Sequence, residues 1–148
     1  MSMPALRQPK INAEEKRTAK MYCEPQNYLI VNLNDGKKLV VSSDSYHGIL
    51  KSGVLYRCVF CEFEMIRDVM CKERHKNSQN HRTILESYPH LTDFKQNLIR
   101  KLNEANYYCT MCNIVIASQC LIKHLSAEEH LKELAKATAR VAAYKPMN

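Results

Sequence analysis

The sequence predicts a small α+β fold stapled by metal, on three observations. Two Cys-x2-Cys pairs, each followed by two histidines, recur along the chain at nearly constant offsets. A run of strand-forming residues broken by Asn34-Asp35-Gly36 precedes them, and apolar residues at helical spacing follow each one. Units this short carry too little apolar material for a core of their own and need a staple.

Composition narrows the class. The chain has 148 residues, with seven cysteines, no tryptophan and three phenylalanines, and a quarter of it is charged. That suits several small units better than one large core. Residues 1–20 are polar and contain no apolar run of the kind a secretory signal needs. No stretch approaches the roughly 18 apolar residues of a membrane span. The expectation is a reducing compartment and no membrane partner, so paired cysteines point to metal rather than disulfides. A net charge of +7 points to nucleic acid or another acidic partner.

The elements follow in order. Residues 1–20 read as a flexible basic arm, with Arg7, Lys10, Lys16, Arg17 and Lys20 against Glu14 and Glu15. Residues 21–55 hold a β-hairpin: Tyr28 to Leu33 and Lys38 to Ser42 are strand formers, and Asp35-Gly36 is a strong turn signal. Two strands alone are marginal, so the hairpin should pack on the first Cys/His unit or on a partner. The units themselves occupy residues 56–84 and 107–131. Between them, residues 85–106 read as a helical linker, capped by Thr92, with Phe94, Leu98, Ile99 and Leu102 at helical spacing to about Asn103. Residues 132–148 continue a basic C-terminal helix. Leu131, Leu134, Ala135, Thr138, Val141 and Ala142 can share a face of it, and Pro146 stops it.

The two units are copies. Cys58 and Cys61 lie 51 positions before Cys109 and Cys112, and His75 and His81 lie 49 before His124 and His130. A single two-residue length change accounts for the difference. Tyr56 and Tyr107 precede each first cysteine by two, and Cys71 and Cys120 precede each first histidine by four.

This donor set is what a structural zinc site takes: two thiolates and two imidazoles closing a tetrahedron, with no open position for catalysis. The Cys58-Val59-Phe60-Cys61 and Cys109-Thr110-Met111-Cys112 turns each present two sulfurs to one ion. Short hairpins should follow, then helices starting near Asp68 and Ser118, both good N-caps. The histidines are six apart. Six helical residues turn about 600°, or 240° net, so an unbroken helix would aim the second ring away. The helix must therefore loosen or kink between them, where Asn77, Ser78 and Asn80 or Ser126 sit. The reading is a small zinc-stabilised α+β protein with two ββα C2H2-type fingers and two zinc ions, each ion contributing on the order of 10 kcal/mol to folding. Cys71 and Cys120 read as small buried helix residues, Cys23 as a free thiol, and His47 and His90 as ordinary polar residues.

These motifs resemble the U1-like, or matrin-type, C2H2 finger family. The carriers are the C-x2-C-x13-H-x5-H and C-x2-C-x11-H-x5-H spacings, the His75-Lys-Asn-Ser-Gln-Asn-His81 segment, His124-Leu-Ser-Ala-Glu-Glu-His130, and the aromatic Tyr56 and Tyr107. The resemblance covers about a third of the chain. It implies a nuclear RNA setting, with duplex RNA or a protein as ligand.

Charge divides the two units. Residues 56–84 are net +2 and residues 107–131 net −1, while the arm and the tail are each +3. RNA contact is therefore expected from the first finger, through Arg67, Lys72, Arg74, Lys76 and Arg82 as phosphate-positioning groups. The alternative is a protein adaptor using finger two, the linker helix and the hairpin. A DNA-binding transcription regulator ranks third, because 27 residues separate His81 from Cys109 and consecutive major-groove reading needs a short linker. Neither a phosphate-binding glycine loop nor a nucleophile motif is present, so no enzyme is expected.

Overall fold

A computed structural model describes residues 27–143. The basic arm, Cys23 and the last five residues of the tail, with Lys145 and Pro146, lie outside the described residues.

The hairpin forms where strand propensity and turn chemistry put it. Strands β1 (Tyr28–Asn32) and β2 (Lys38–Ser42) pair antiparallel, Ile30 opposite Val40. Gly36, at φ 89°, takes the left-handed turn position and donates its N–H to Leu33 O at 3.0 Å. Its packing differs from the expectation. Leu39 and Val41 enter a core with Leu98, Ile99, Met111, Ile116, Leu121 and Ala137, so the hairpin sits on the second Cys/His unit, not the first.

Helix α1 (Ser43–His47) follows directly, capped by the Ser42 hydroxyl and ended by Gly48 in the left-handed region. A Cβ at position 48 would run into the Phe60 ring, so both conformation and space require glycine there. The first unit is then a three-stranded antiparallel sheet, β3 (Ile49–Ser52), β4 (Leu55–Cys58) and β5 (Phe63–Ile66), followed by α2 (Val69–Lys76) and α3 (Gln79–Glu86). The second unit repeats it. A 3-10 turn (Thr92–Asn97) leads into β6 (Ile99–Lys101), β7 (Asn106–Cys109) and β8 (Ile114–Ala117). A second 3-10 turn (Ser118–Cys120), α4 (Leu121–Leu125) and α5 (Glu128–Ala143) complete it.

Three expectations about elements are corrected. Each unit is βββαα rather than ββα, because a preceding segment supplies a third strand. The linker is not a helix to Asn103: Leu98 turns left-handed at φ 54° and the chain becomes strand β6. Pairing Ile99 with Cys109 and Lys101 with Tyr107 gives β7 a second neighbour. It also buries Leu98 and Ile99 completely, and that tertiary gain outweighs the helical spacing. The C-terminal helix buries a different face from the one expected. Ala137 is fully buried, with Glu133, Leu134, Arg140 and Val141 partly so, whereas Leu131, Ala135, Thr138 and Ala142 are exposed. His130, already on this helix, fixes the rotation by pointing inward. Arg140 then reaches the hairpin, donating to Val40 O at 3.1 Å with its guanidinium over the Tyr28 ring.

The two units share a core. Tyr108 of the second unit is buried among Tyr56, Phe60, Met65 and Leu85 of the first. Its hydroxyl lies 2.8 Å from Ser45 O and pairs also with Asn113 Oδ1, whose amide donates to Ile49 O at 3.0 Å. Arg100, 3% exposed, donates to Tyr88 O (2.7 Å) and Tyr46 O (2.9 Å) and stacks on the rings of Tyr46 and Phe60. The units are therefore one body rather than beads on a linker.

Candidate metal centres

The two Cys/His sets predicted from spacing converge in space. In each of Cys58, Cys61, His75, His81 and Cys109, Cys112, His124, His130, one ligand atom per residue lies within 4.8 Å of the others. Each cluster could hold a metal ion. The strand β4 or β7 delivers the first cysteine and the tight turn after it the second. In the turns, Glu62 and Asn113 adopt positive φ, 53° and 57°, one residue past the second cysteine.

The helix breaks where the histidine spacing requires. α2 ends at Lys76, Asn77 caps it, and Ser78 becomes the N-cap of α3, its hydroxyl accepting from His81 N at 3.2 Å. Asp68 caps α2 as expected, accepting from Cys71 N. Ser118 does not cap a helix. It opens the 3-10 turn and donates its hydroxyl to Glu104 O at 2.7 Å. Ser126 and Ala127 mark the second break.

The two histidines of each site present different atoms. His81 Nδ1 lies 3.6 and 3.5 Å from the sulfurs of Cys58 and Cys61, and His130 Nδ1 lies 3.6 Å from each of Cys109 and Cys112. His75 and His124 instead have buried Nε2 atoms with no hydrogen-bond partner. An orphaned buried acceptor is costly, and both orphans are satisfied if these nitrogens ligate.

Electrostatics agree with a cation between the donors. Burial holds His75 below the ordinary imidazole range and takes His81 to about 4, so both rings are neutral, the ligating form. The sulfurs crowd each other. A hydrogen bond from Cys112, reinforced by His130 and His124, brings Cys109 down to about 4, and the same contact pushes Cys112 up. Burial and the adjacent Cys58 push Cys61 up to about 12. Without a cation the Cys109/Cys112 pair stabilises one thiolate at the other's expense; a divalent ion would accommodate both.

The cover over the sites is unequal. Phe63 stacks on His75, centroids 5.2 Å apart and planes at 18°. The matching residue in the second unit is Ile114, beside a surface cleft lined by Cys112, His124, Glu129 and Glu133.

Sequence reasoning missed His47 and His90. His47 Nδ1 lies 2.9 Å from His81 Nε2, and His90 Nε2 lies 2.8 Å from the Thr110 hydroxyl beside Cys109. Neither belongs to a local motif, so only the fold reveals them. Cys71 is half-buried and Cys120 exposed, not the buried helix residues expected.

The proposed phosphate contacts divide. Lys72 and Lys76 are 2% and 3% exposed, and both ion-pair with Asp44 of α1, at 2.9 and 2.8 Å. Lys76 also reaches Glu73 at 3.0 Å. These ammonium groups are internal and leave the contact set. Arg67, Arg74 and Arg82 are exposed.

In comparison with known proteins, the chain matches no family model, no curated protein and no solved structure.

Proposed function

We propose that both centres hold zinc and that the protein is a non-catalytic, nuclear, nucleic-acid-binding module, with RNA as its ligand. The S2N2 donor sets support zinc, in closed sites whose task is structural. The observation that carries nucleic-acid binding is the split of charge on the first unit. Asp44 and Glu73 are spent on the buried lysines and Asp68 on a helix cap, while Glu64 pairs with Arg57 at 3.7 Å and Glu62 stays exposed. Arg67, Arg74 and Arg82 are exposed, although Arg67 also donates to Gly53 O at 2.8 Å. Arginine is suited to phosphate by its planar fork of donors. The basic arm and tail add charge to the same task.

The test is titration of the zinc-loaded chain with duplex RNA, duplex DNA and single strands at two salt concentrations. Binding should weaken with salt and fall further in Arg67→Glu/Arg74→Glu/Arg82→Glu. Absence of binding at low salt overturns the reading, and a preference for duplex DNA over RNA moves the protein to DNA regulation.

A second reading, protein docking on the second unit, has its own observation. Ile114, Val115, Ile122 and Leu131 are exposed apolar side chains there, in a unit with a net negative charge. A protein partner captured after nuclease treatment, and lost on Ile122→Asp, would favour it.

A further inference from the structure

We infer that each metal centre includes a fifth positioning residue, His47 in the first and Asn97 in the second, which makes the second histidine ligate through Nδ1. The inference rests on the assignment of both clusters as metal centres.

The geometry is the same twice. His81 turns Nδ1 to the sulfurs and leaves Nε2 at 2.9 Å from His47 Nδ1. His130 turns Nδ1 to its sulfurs and leaves Nε2 at 2.8 Å from Asn97 Oδ1. An amide oxygen can only accept, so the proton lies on His130 Nε2 and the free lone pair on Nδ1. A neutral His47 ring accepting at Nδ1 selects the same tautomer of His81. A ligating histidine held by a second hydrogen bond through its far nitrogen has its tautomer and ring angle set.

The positions match as well as the contacts. His47 and Asn97 each stand two residues before the isoleucine that pairs with the first cysteine: Ile49 opposite Cys58, Ile99 opposite Cys109. The residue between is left-handed in both, Gly48 at φ 72° and Leu98 at φ 54°. Its carbonyl accepts from the residue after that cysteine, Val59 N to Gly48 O and Thr110 N to Leu98 O, both at 3.0 Å. The repeat thus begins eleven residues before Cys58 and twelve before Cys109, and its unshared feature is the chemistry of the acceptor. The sequence concealed this because histidine and asparagine do not align as one motif.

The test uses the zinc-loaded full chain labelled with 15N. Stoichiometry is measured first, and fewer than two zinc ions per chain removes both the metal assignment and the inference. With two ions bound, ring proton–nitrogen correlations should show His81 and His130 metal-bound at Nδ1 and protonated at Nε2, with His75 and His124 reversed. Nε2 coordination by His81 and His130 overturns the inference while leaving the metal sites intact. His47→Phe and Asn97→Leu should each weaken zinc at their own site about 10–100-fold in chelator competition, leaving the other site unchanged. Asn97→Asp and His47→Asn keep an acceptor and should restore most of the affinity. Wild-type affinity in both apolar variants also overturns it.

Discussion

Lys76 Nζ lies 2.8 Å from Asp44 Oδ1, across 32 positions of sequence, and its ammonium group is buried. Lys72 takes the other oxygen at 2.9 Å. In the second unit, the positions 49 residues on are Leu121 and Leu125, which pack into the apolar core. One unit thus anchors its helix by charge and its copy by burial. Asp44→Ala removes the carboxylate that both buried ammonium groups share, leaving Lys76 to Glu73 and Ser43, and should cost about 3 kcal/mol. The triple change Asp44→Leu/Lys72→Leu/Lys76→Leu should be neutral or stabilising. Denaturant unfolding of the zinc-loaded chain measures both. A cost below about 1 kcal/mol for Asp44→Ala would mean that the ammonium groups reach water.

Arg100 ties the second unit to the first. It donates to the carbonyls of Tyr46 and Tyr88 while lying against the rings of Tyr46 and Phe60. Arg100→Met should cost about 2–4 kcal/mol, because the Tyr46 and Tyr88 carbonyls lose their donors inside the protein. Arg100→Lys should recover little, since an ammonium cannot span both acceptors as a guanidinium does. Thermal unfolding followed separately by probes in each unit should show both midpoints falling together. A fall confined to the second unit would refute the shared core.

The ligand sets were legible because metal binding imposes a local spacing that a sequence displays. The hairpin was legible because Asp35-Gly36 and its flanking strands are likewise local. The linker misled for the opposite reason. Phe94, Leu98, Ile99 and Leu102 do recur at helical spacing, but the free edge of β7 decides what Ile99–Lys101 become, and that edge is nonlocal. The same holds for Lys72 and Lys76. Their sequence context is basic and helical, and only the arrival of Asp44 from α1 turns them inward. The face of α5 was misjudged by rotation, since Leu131 looked like core until His130 fixed the inward direction.

Acid should act through His90, which like His47 is a half-buried ring held neutral in the fold. Burial, with the Arg100 guanidinium beside it, takes this ring down to about 3 from 6.5. The folded ring is neutral while the unfolded ring protonates below 6.5, so the unfolded state binds more protons between these values. Stability is therefore full above about pH 6.5 and declines as pH falls toward 3. Asp44 acts lower. Burial alone would raise it, but hydrogen bonds from Lys76 and Lys72 override that and hold it below 3.8. Its contribution persists above 3.8 and fades as pH drops through the lower folded value. His90→Gln should make the loss between pH 7 and pH 5 smaller by about 2 kcal/mol, the linkage expected for one such ring. Equal slopes for variant and wild type in denaturant titrations would show that His90 does not carry the effect.

Chelation should empty the second site first. Phe63 lies flat on His75 and shields the first, whereas Ile114 borders a cleft that reaches Cys112 and His124. Metal release followed by a colorimetric chelator should therefore be biphasic, with the fast phase abolished by Cys112→Ser and slowed by Ile114→Phe. The first loss should not be silent in the first unit. Tyr108 adjoins Cys109 and lies in the first unit's core, so emptying the second site should increase amide exchange at Tyr56 and Met65 before the first metal leaves. Fast release from the first site, or unchanged exchange there after the second is empty, would break the link between cover, lability and shared core.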